Sequence, residues 1–542
     1  MSDRGRRALL LAGGLWVVAW LLSAWISDDA FITYRTIDNA LGGNGLRWNP
    51  DERVQSFTHP LWLFVQLPFV ALTGRPALAG LAVSFALGLL TLRLLVTRVA
   101  RSPQHAVVAI VLLAASRASL DYASSGLEDP LTRFLIVLLA VRLIEPSTSA
   151  RRQAGSLALL AALGALCRPD ALLFFLPALV WEGWQRRSEW PRYLSGVVLG
   201  FLPLLTWGIF AFVYFGFFLP NTAYAKLGMG VPRHGLLLQS FAYLADSLSR
   251  DPLTLAALLV AAASVWRGRE RVALLLGAGA GLYLLFVLWI GGDYMSGRLL
   301  GSPLLLAALC LARYERSPGP RALRWSVPAA AALLVAGLAS PMVTSTVGPY
   351  GVGDERRAHH PYTGLVYALT SPRWPEHSLR YAGEQARARQ QIEVSGAIGL
   401  FGYYAGRDTT IVDIFGLSDP LLARLPGIVV SPTPKAGLRN WRPGHAQRPV
   451  PEGYVETLLT GKNQIADDDL SRYYDVLREA VTGPVFSVAR WRRALGLQLG
   501  QYDELLDAYV ERNEPLFRTF GPSSETLWAP ETEEGKPTIG LQ

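Results

Sequence analysis

The feature that most constrains this chain is a succession of long apolar blocks, rich in Leu, Ala, Val and Phe, recurring from Met1 to about Ala339 with arginine clusters between them. Such blocks enter a bilayer as helices, because hydrocarbon offers backbone amides no partner outside their own segment. After Ser340 no such block appears. Composition agrees: 51% hydrophobic and 17% charged is too apolar for a soluble chain of 542 residues. The expected fold class is a polytopic α-helical membrane domain over residues 1–343, with a soluble α+β domain over 344–542 large enough to hold its own core.

The arginines set the expected topology. The apolar stretch Ala8–Ile26 follows a basic start and lacks a small-x-small cleavage site after it, so it reads as a retained first helix. With Pro60–Thr73 lying outside the count, about eleven spans fall near 8–26, 76–97, 105–119, 131–145, 154–168, 170–183, 193–216, 253–266, 272–290, 299–313 and 325–343. Each short loop on one side then carries at least three arginines, for example Arg93, Arg98 and Arg101, or Arg267, Arg269 and Arg271. That bias places the N-terminus in the cytoplasm and the C-terminal domain outside, in the periplasmic or extracytoplasmic space beyond the cytoplasmic (inner) membrane. Counting Pro60–Thr73 as a crossing reverses every later loop and destroys the bias. The net charge of +9 is therefore orientation information, and no nucleic-acid partner is expected. Cys167 and Cys310 make no disulfide framework and read as small core residues.

The polar residues gather on the outer side. The first outer loop, 27–75, opens Ser27-Asp28-Asp29-Ala30-Phe31-Ile32-Thr33-Tyr34-Arg35. A carboxylate beside low-dielectric surface has its proton affinity raised and can serve as a general base. Asp28 is equally suited to cap an amphipathic surface helix running to about Leu41 and ended by Gly42-Gly43, and the two roles are compatible. Aromatic, Asn and Arg residues follow, with His59 and Trp62, in a pattern that suits sugar stacking or an interfacial aromatic belt. Further outer loops add Ser125-Gly126-Leu127-Glu128, Arg168-Pro169-Asp170, Pro220-Asn221-Thr222 with Lys226, and Gly292-Asp293-Tyr294 with Arg298. Lys226 and Arg298 could hold a phosphate or pyrophosphate. Arg168-Pro169-Asp170 reads as a buried charge pair tying two helix ends together. No P-loop, dinucleotide glycine signature, HExxH or CxxC occurs, which removes support for nucleotide-driven transport and zinc hydrolysis.

Taken in order, these segments resemble the C-type (GT-C) membrane glycosyltransferases, and more narrowly the terminal arabinofuranosyltransferases of actinobacterial cell walls and their relatives. The resemblance rests on Asp28-Asp29-Ala30-Phe31-Ile32, Gly43-Asn44-Gly45-Leu46-Arg47-Trp48-Asn49-Pro50, Thr58-His59-Pro60-Leu61-Trp62, the outer-loop segments above, and Val412-Asp413-Ile414-Phe415-Gly416-Leu417-Ser418-Asp419. His59 stands where the family pattern has a small polar residue. The resemblance implies inverting transfer of a sugar, arabinofuranose being one candidate, from a polyprenyl-phosphate donor to a cell-envelope glycan or glycolipid acceptor. Asp28 or Asp29 would be the base. Lys226 and Arg298, with Arg35 third, would bind the donor phosphate, and His59, Trp62, Glu128, Asn221, Asp293 and Tyr294 the substrates. No cofactor or metal is required, since cationic side chains can stabilise the leaving phosphate; the acidic cluster leaves room for a divalent metal. The membrane itself supplies the lipid surroundings.

Two other readings compete. A non-catalytic envelope or motor-associated scaffold would tolerate substitution of Asp28 and Asp29; a transporter would need ligand groups facing both sides. In the soluble part, strands are expected at 397–401, 410–414 and 484–487 and helices at 467–482 and 502–512. Trp441–His445 and Tyr473-Tyr474 are glycan-contact candidates, although such aromatics more often fill a core, and the acidic tail after Pro522 is expected to be poorly ordered.

Overall fold

A computed structural model describes residues 3–227, 233–315, 351–389, 391–428 and 446–517. Most of it is helix, and the only sheet among the described residues is a parallel pair of short strands. Every expected span up to 299–313 coincides with a helix, while 325–343 lies outside the described residues. Four are long and apolar enough to cross a bilayer unaided: Gly5–Ser23, Pro76–Val99, Arg187–Phe215 and Arg271–Ile290. The helix Arg233–Arg250, absent from the sequence reading, meets Pro252–Gly268 at a bend of 107°. Pro252 starts the second helix, and the Asp251 side chain accepts hydrogen bonds from the amides of Thr254 and Ala118 at 3.4 and 3.0 Å, fixing that corner.

Small residues allow the longest helix to pack closely. Trp190–Phe215 lies along Ala150–Cys167, and a Cβ at Gly196 would stand 2.3 Å from the Arg151 carbonyl oxygen, one at Gly200 2.5 Å from that of Gly155. Gly196-x-x-x-Gly200 therefore permits backbone contact where lipid gives helices no hydrophobic reason to associate. Val198, Leu202, Leu205 and Ile209 face outward, as on a lipid-facing side.

The first outer loop departs from expectation. Asp28–Leu41 is a helix, but its N-cap is Ser27, and Asp28 is its first residue with its carboxylate turned to another partner. Nor does it lie on the surface: Ala30 to Ile37 are buried, because residues from the C-terminal region pack over it. The Arg35 guanidinium is the tie, donating to the carbonyls of Trp48 (2.9 Å), Thr409 (2.6 Å) and Gly402 and stacking on Trp48.

The C-terminal region shares its cores with the helical part. Val54 and Phe217 join Leu421, Tyr454, Leu470, Tyr473, Tyr474 and Leu477 in one cluster, so Tyr473 and Tyr474 are core residues. Arg490 donates to the carbonyls of Val213 and Tyr214, and Arg53 also to that of Tyr214, capping the C-terminus of Trp190–Phe215 with positive charge. Glu393–Ser395 and Ile411–Asp413 form the parallel pair, in register Glu393 to Ile411. Only the strand expected at 410–414 is therefore present. Residues 397–399 form a bend that enters the helix Leu400–Tyr404, and 484–487 joins two helices, where Pro484 has no amide to donate and Ser487 caps the second. The expected helices appear as Asp468–Thr482 and Asp503–Arg512. Trp441–His445 and the tail after Pro522 lie outside the described residues.

Candidate active site

One end of the helical bundle collects the polar side chains singled out from the sequence. The Ser27 amide donates to the Ser125 carbonyl at 2.8 Å, and the buried Trp62 indole donates to the Gly126 carbonyl at 2.8 Å. These contacts pin the first outer loop to the turn before Glu128. Gly126 makes the turn possible: its φ is +80°, and a Cβ there would meet the Ala30 Cβ at 2.7 Å.

Glu128 is the hub. Its Oε1 accepts from Arg168 and Arg298, each at 3.2 Å, and its Oε2 lies 3.2 Å from His59 Nδ1. The other ring nitrogen of His59 shares a 2.7 Å hydrogen bond with Thr33, so this histidine links the helix after the paired aspartates to the hub. Burial favours the neutral acid of Glu128, but Arg298, His59 and Arg168 outweigh it and hold the group well below the usual carboxylate range. Arg168 also grips Asp170 through both oxygens, at 3.0 and 2.7 Å, and Tyr283 donates to the same carboxylate at 2.9 Å. The expected charge pair is thus part of a larger cluster. Arg298 keeps one donor unused: its Nε has no hydrogen-bond partner, with Asp129 Oδ2 3.9 Å away.

The paired aspartates open the helix that His59 ties to this cluster through Thr33. Asp28 Oδ1 accepts the Leu400 amide at 2.7 Å. Burial is the main cause that pushes the Asp28 carboxyl up to about 6, and the neighbouring Asp29 adds to it against the Leu400 hydrogen bond. Gly399 makes the seat: a Cβ there would stand 2.1 Å from the Asp28 carbonyl oxygen and 2.5 Å from Oδ2. Tyr294 connects the two groups, its phenol raised by burial and then by the nearby charge of Asp29, Glu355 and Asp293. Asp293 in turn supports the charge of Arg298.

The sequence reading missed the segment that closes this cluster. His359 pairs with Glu355 at 3.3 Å and faces both aspartates; burial works against its protonation, but Glu355, Asp28 and Asp29 push its affinity up. Asp354 accepts from Arg117 at 2.6 Å and Arg250 at 3.4 Å, and Arg356 meets Asp121 at 2.7 Å. The available signal was the charged run Asp354-Glu355-Arg356-Arg357 followed by His359-His360.

Three predicted site residues sit elsewhere. Arg35 is engaged with three backbone carbonyls and belongs to the packing of the loop. Asn221 donates to the carbonyls of Gly416 and Asp419, both at 2.9 Å, holding a C-terminal turn. Lys226 is exposed at the end of the short helix Asn221–Leu227, and residues 228–232 beyond it lie outside the described residues. Both cysteines are free and buried. Among the described residues, no group of three or more His, Cys, Asp or Glu side chains is arranged to hold a metal ion.

No protein-family model matches the chain. It is similar to the terminal beta-(1->2)-arabinofuranosyltransferase of Mycobacterium tuberculosis, at 27% identity over 516 residues, covering 77% of this chain and 80% of that protein. It is also similar to the terminal beta-(1->2)-arabinofuranosyltransferase of Corynebacterium glutamicum, at 29% identity over 352 residues; the match covers 56% of this chain and 50% of the length of that relative. The resemblance read from the motifs thus extends over 77% of this chain in one relative and 56% in the other.

Proposed function

We propose that this membrane protein is a glycosyltransferase that moves a sugar, arabinofuranose first among the candidates, from a polyprenyl-phosphate donor to a cell-envelope glycan or glycolipid on the outer face of the cytoplasmic membrane. The observation that carries this reading is the pairing of two features: a carboxylate, Asp28, whose burial raises its proton affinity to about 6, and a cationic cluster, Arg298 and Arg168 on Glu128, tied to the same helix through His59 and Thr33. The similarity to two arabinofuranosyltransferases supports the sugar.

The reaction follows from those parts. An acceptor hydroxyl attacks the anomeric carbon while Asp28 takes the hydroxyl proton. The bond from the anomeric carbon to the phosphate oxygen breaks on the opposite face, and the lipid phosphate leaves with the electron pair, giving inversion. Guanidinium groups near that oxygen stabilise its developing charge without reorganising. Arg298 is the candidate for this role because its Nε has no hydrogen-bond partner. Asp29 raises the proton affinity of Asp28 and orients the acceptor through Tyr294. The scheme requires no metal.

The test is transfer in reconstituted membranes with a panel of polyprenyl-phosphate sugars, comparing the parent with Asp28→Asn and Asp29→Asn proteins of equal expression. Donor-dependent product that disappears in Asp28→Asn is the expected result. No turnover by the parent with any donor on an acceptor-rich envelope extract, with normal growth of cells carrying both variants, would replace this reading with the scaffold one.

A further inference from the structure

A cavity lies outside the charged cluster. It is an open cleft of about 630 Å³, within the size range of small-molecule sites, formed by residues 361–381. Its walls carry four aromatic rings, Tyr362, Tyr367, Trp374 and Tyr381, together with Glu376 and His377. Tyr362 and Tyr367 are 47% and 41% exposed, far more than rings that fill a core. The polar groups are held in place: Glu376 accepts from the Ser371 hydroxyl at 2.6 Å and the Tyr381 phenol at 2.9 Å, and the Trp374 indole donates to the Gly364 carbonyl at 2.9 Å. Those two hydrogen bonds to Glu376 hold its carboxyl below the usual range, so it stays an acceptor.

The cleft stands next to the reacting groups. The Leu365 amide donates to the Ala24 carbonyl at 2.8 Å, anchoring this segment to the end of the first helix, a few residues before Asp28. His377, on the cleft wall, stacks on His359 with ring centroids 5.2 Å apart, and His359 faces Asp28 and Asp29. A ligand in the cleft therefore reaches toward the proposed base across two stacked imidazoles.

We infer that this cleft binds the acceptor as an extended glycan, seating sugar residues behind the one whose hydroxyl reacts. Flat rings with exposed faces receive the C–H faces of sugars, and a fixed carboxylate with hydroxyl neighbours receives their hydroxyl groups. The ring faces outnumber the charged groups on the wall, which favours a neutral oligosaccharide over a lipid headgroup. The inference rests on the transferase reading for the identity of the sugar, but the cleft can be tested without turnover.

The probe is a synthetic arabinofuranose hexasaccharide, with the disaccharide as control, followed by saturation-transfer NMR on the purified full chain carrying Asp28→Asn. The hexasaccharide is expected to bind more tightly than the disaccharide. Tyr367→Ala and Trp374→Leu should each weaken it by about threefold to tenfold, and Tyr367→Phe and Trp374→Phe, which keep a ring, should restore most of it. In turnover assays the ring-removing variants should raise KM for the hexasaccharide and leave kcat and the disaccharide unchanged. Equal hexasaccharide binding by parent and ring-removing variants, or loss only of binding to phosphatidylglycerol vesicles, overturns the inference. If the parent shows no transfer with any donor yet binds the hexasaccharide through these rings, the transferase reading fails and the glycan site stands. If transfer is normal and the variants behave as the parent, the site fails alone.

Discussion

Asp28 and Asp413 have the same raised proton affinity, each pushed up to about 6 and each chiefly by burial, yet they stand in opposite situations. Asp413 is fully buried, and its oxygens accept from the amides of Phe415 (2.9 Å) and Ser418 (2.8 Å) and from the Ser418 hydroxyl. Asp419, six residues on, is occupied by the amides of Leu421 and Leu422 and by the Tyr454 phenol. These carboxylates organise a turn that has no room for a substrate. Asp28 accepts the Leu400 amide, remains half-buried, and stands beside Asp29 and within reach of the charge of His359. A shifted proton affinity therefore does not by itself mark a catalytic base; the surroundings of the carboxylate separate these two acids.

The sharpest way to break this comparison is to neutralise each acid in turn. Asp28→Asn should lower transfer by about a hundredfold to ten-thousandfold, the span of general-base contributions, with the melting temperature little changed. Equal loss from Asp28→Asn and Asp413→Ala, per folded molecule, would erase the distinction. For Asp413→Ala the expected outcome is destabilisation by about 2–3 kcal/mol, because buried donors at Phe415 and Ser418 lose their acceptor, while kcat of the surviving protein stays near the parent value. Thermal melts followed by activity of the soluble fraction separate the two effects. Gly399→Ala should be intermediate: the methyl displaces Asp28 without removing its charge, and we expect about a tenfold to hundredfold loss of kcat with unchanged net charge.

The contrast also explains what the sequence could and could not disclose. Apolar block length and arginine spacing anticipated the helices, since both act along the chain within a single segment. That Asp28, Glu128, Asp293 and Arg298 lie at or just past helix ends was legible for the same reason. Their meeting at one cluster was not, because Glu128 reaches Arg298 over 170 positions and Asp28 reaches Leu400 over 372. Arg35, expected third at the donor phosphate, has as its partners the carbonyls of residues 48, 402 and 409, which no local pattern announces. Two of the three short strands were misplaced because a bend at Gly399 and a cap at Ser487 depend on contacts made elsewhere in the chain.

The smallest effect, and the one that separates the two acids in a single protein, is the response to pH. Asp28 must be ionised to accept a proton, so kcat/KM should rise about tenfold per unit below pH 6 and level off above it. The charge of Asp29 helps hold Asp28 at that value, so Asp29→Asn should move the rising limb to lower pH if Asp28 is the base. A limb that keeps its position in Asp29→Asn while the plateau collapses would reassign the base to Asp29. Stability has the opposite sign. An Asp413 that protonates at about 6 when folded and near 3.8 when unfolded favours the folded state fully below the lower value, and that contribution is lost as pH rises through the higher one. Asp28 adds a term of the same sign. The share of the melting temperature set by these two carboxyls should therefore fall between about pH 4 and 6, over the window in which activity climbs. Asp413→Asn should flatten part of the stability slope and leave the activity limb in place, whereas Asp28→Asn should remove the activity and only its own share of the slope.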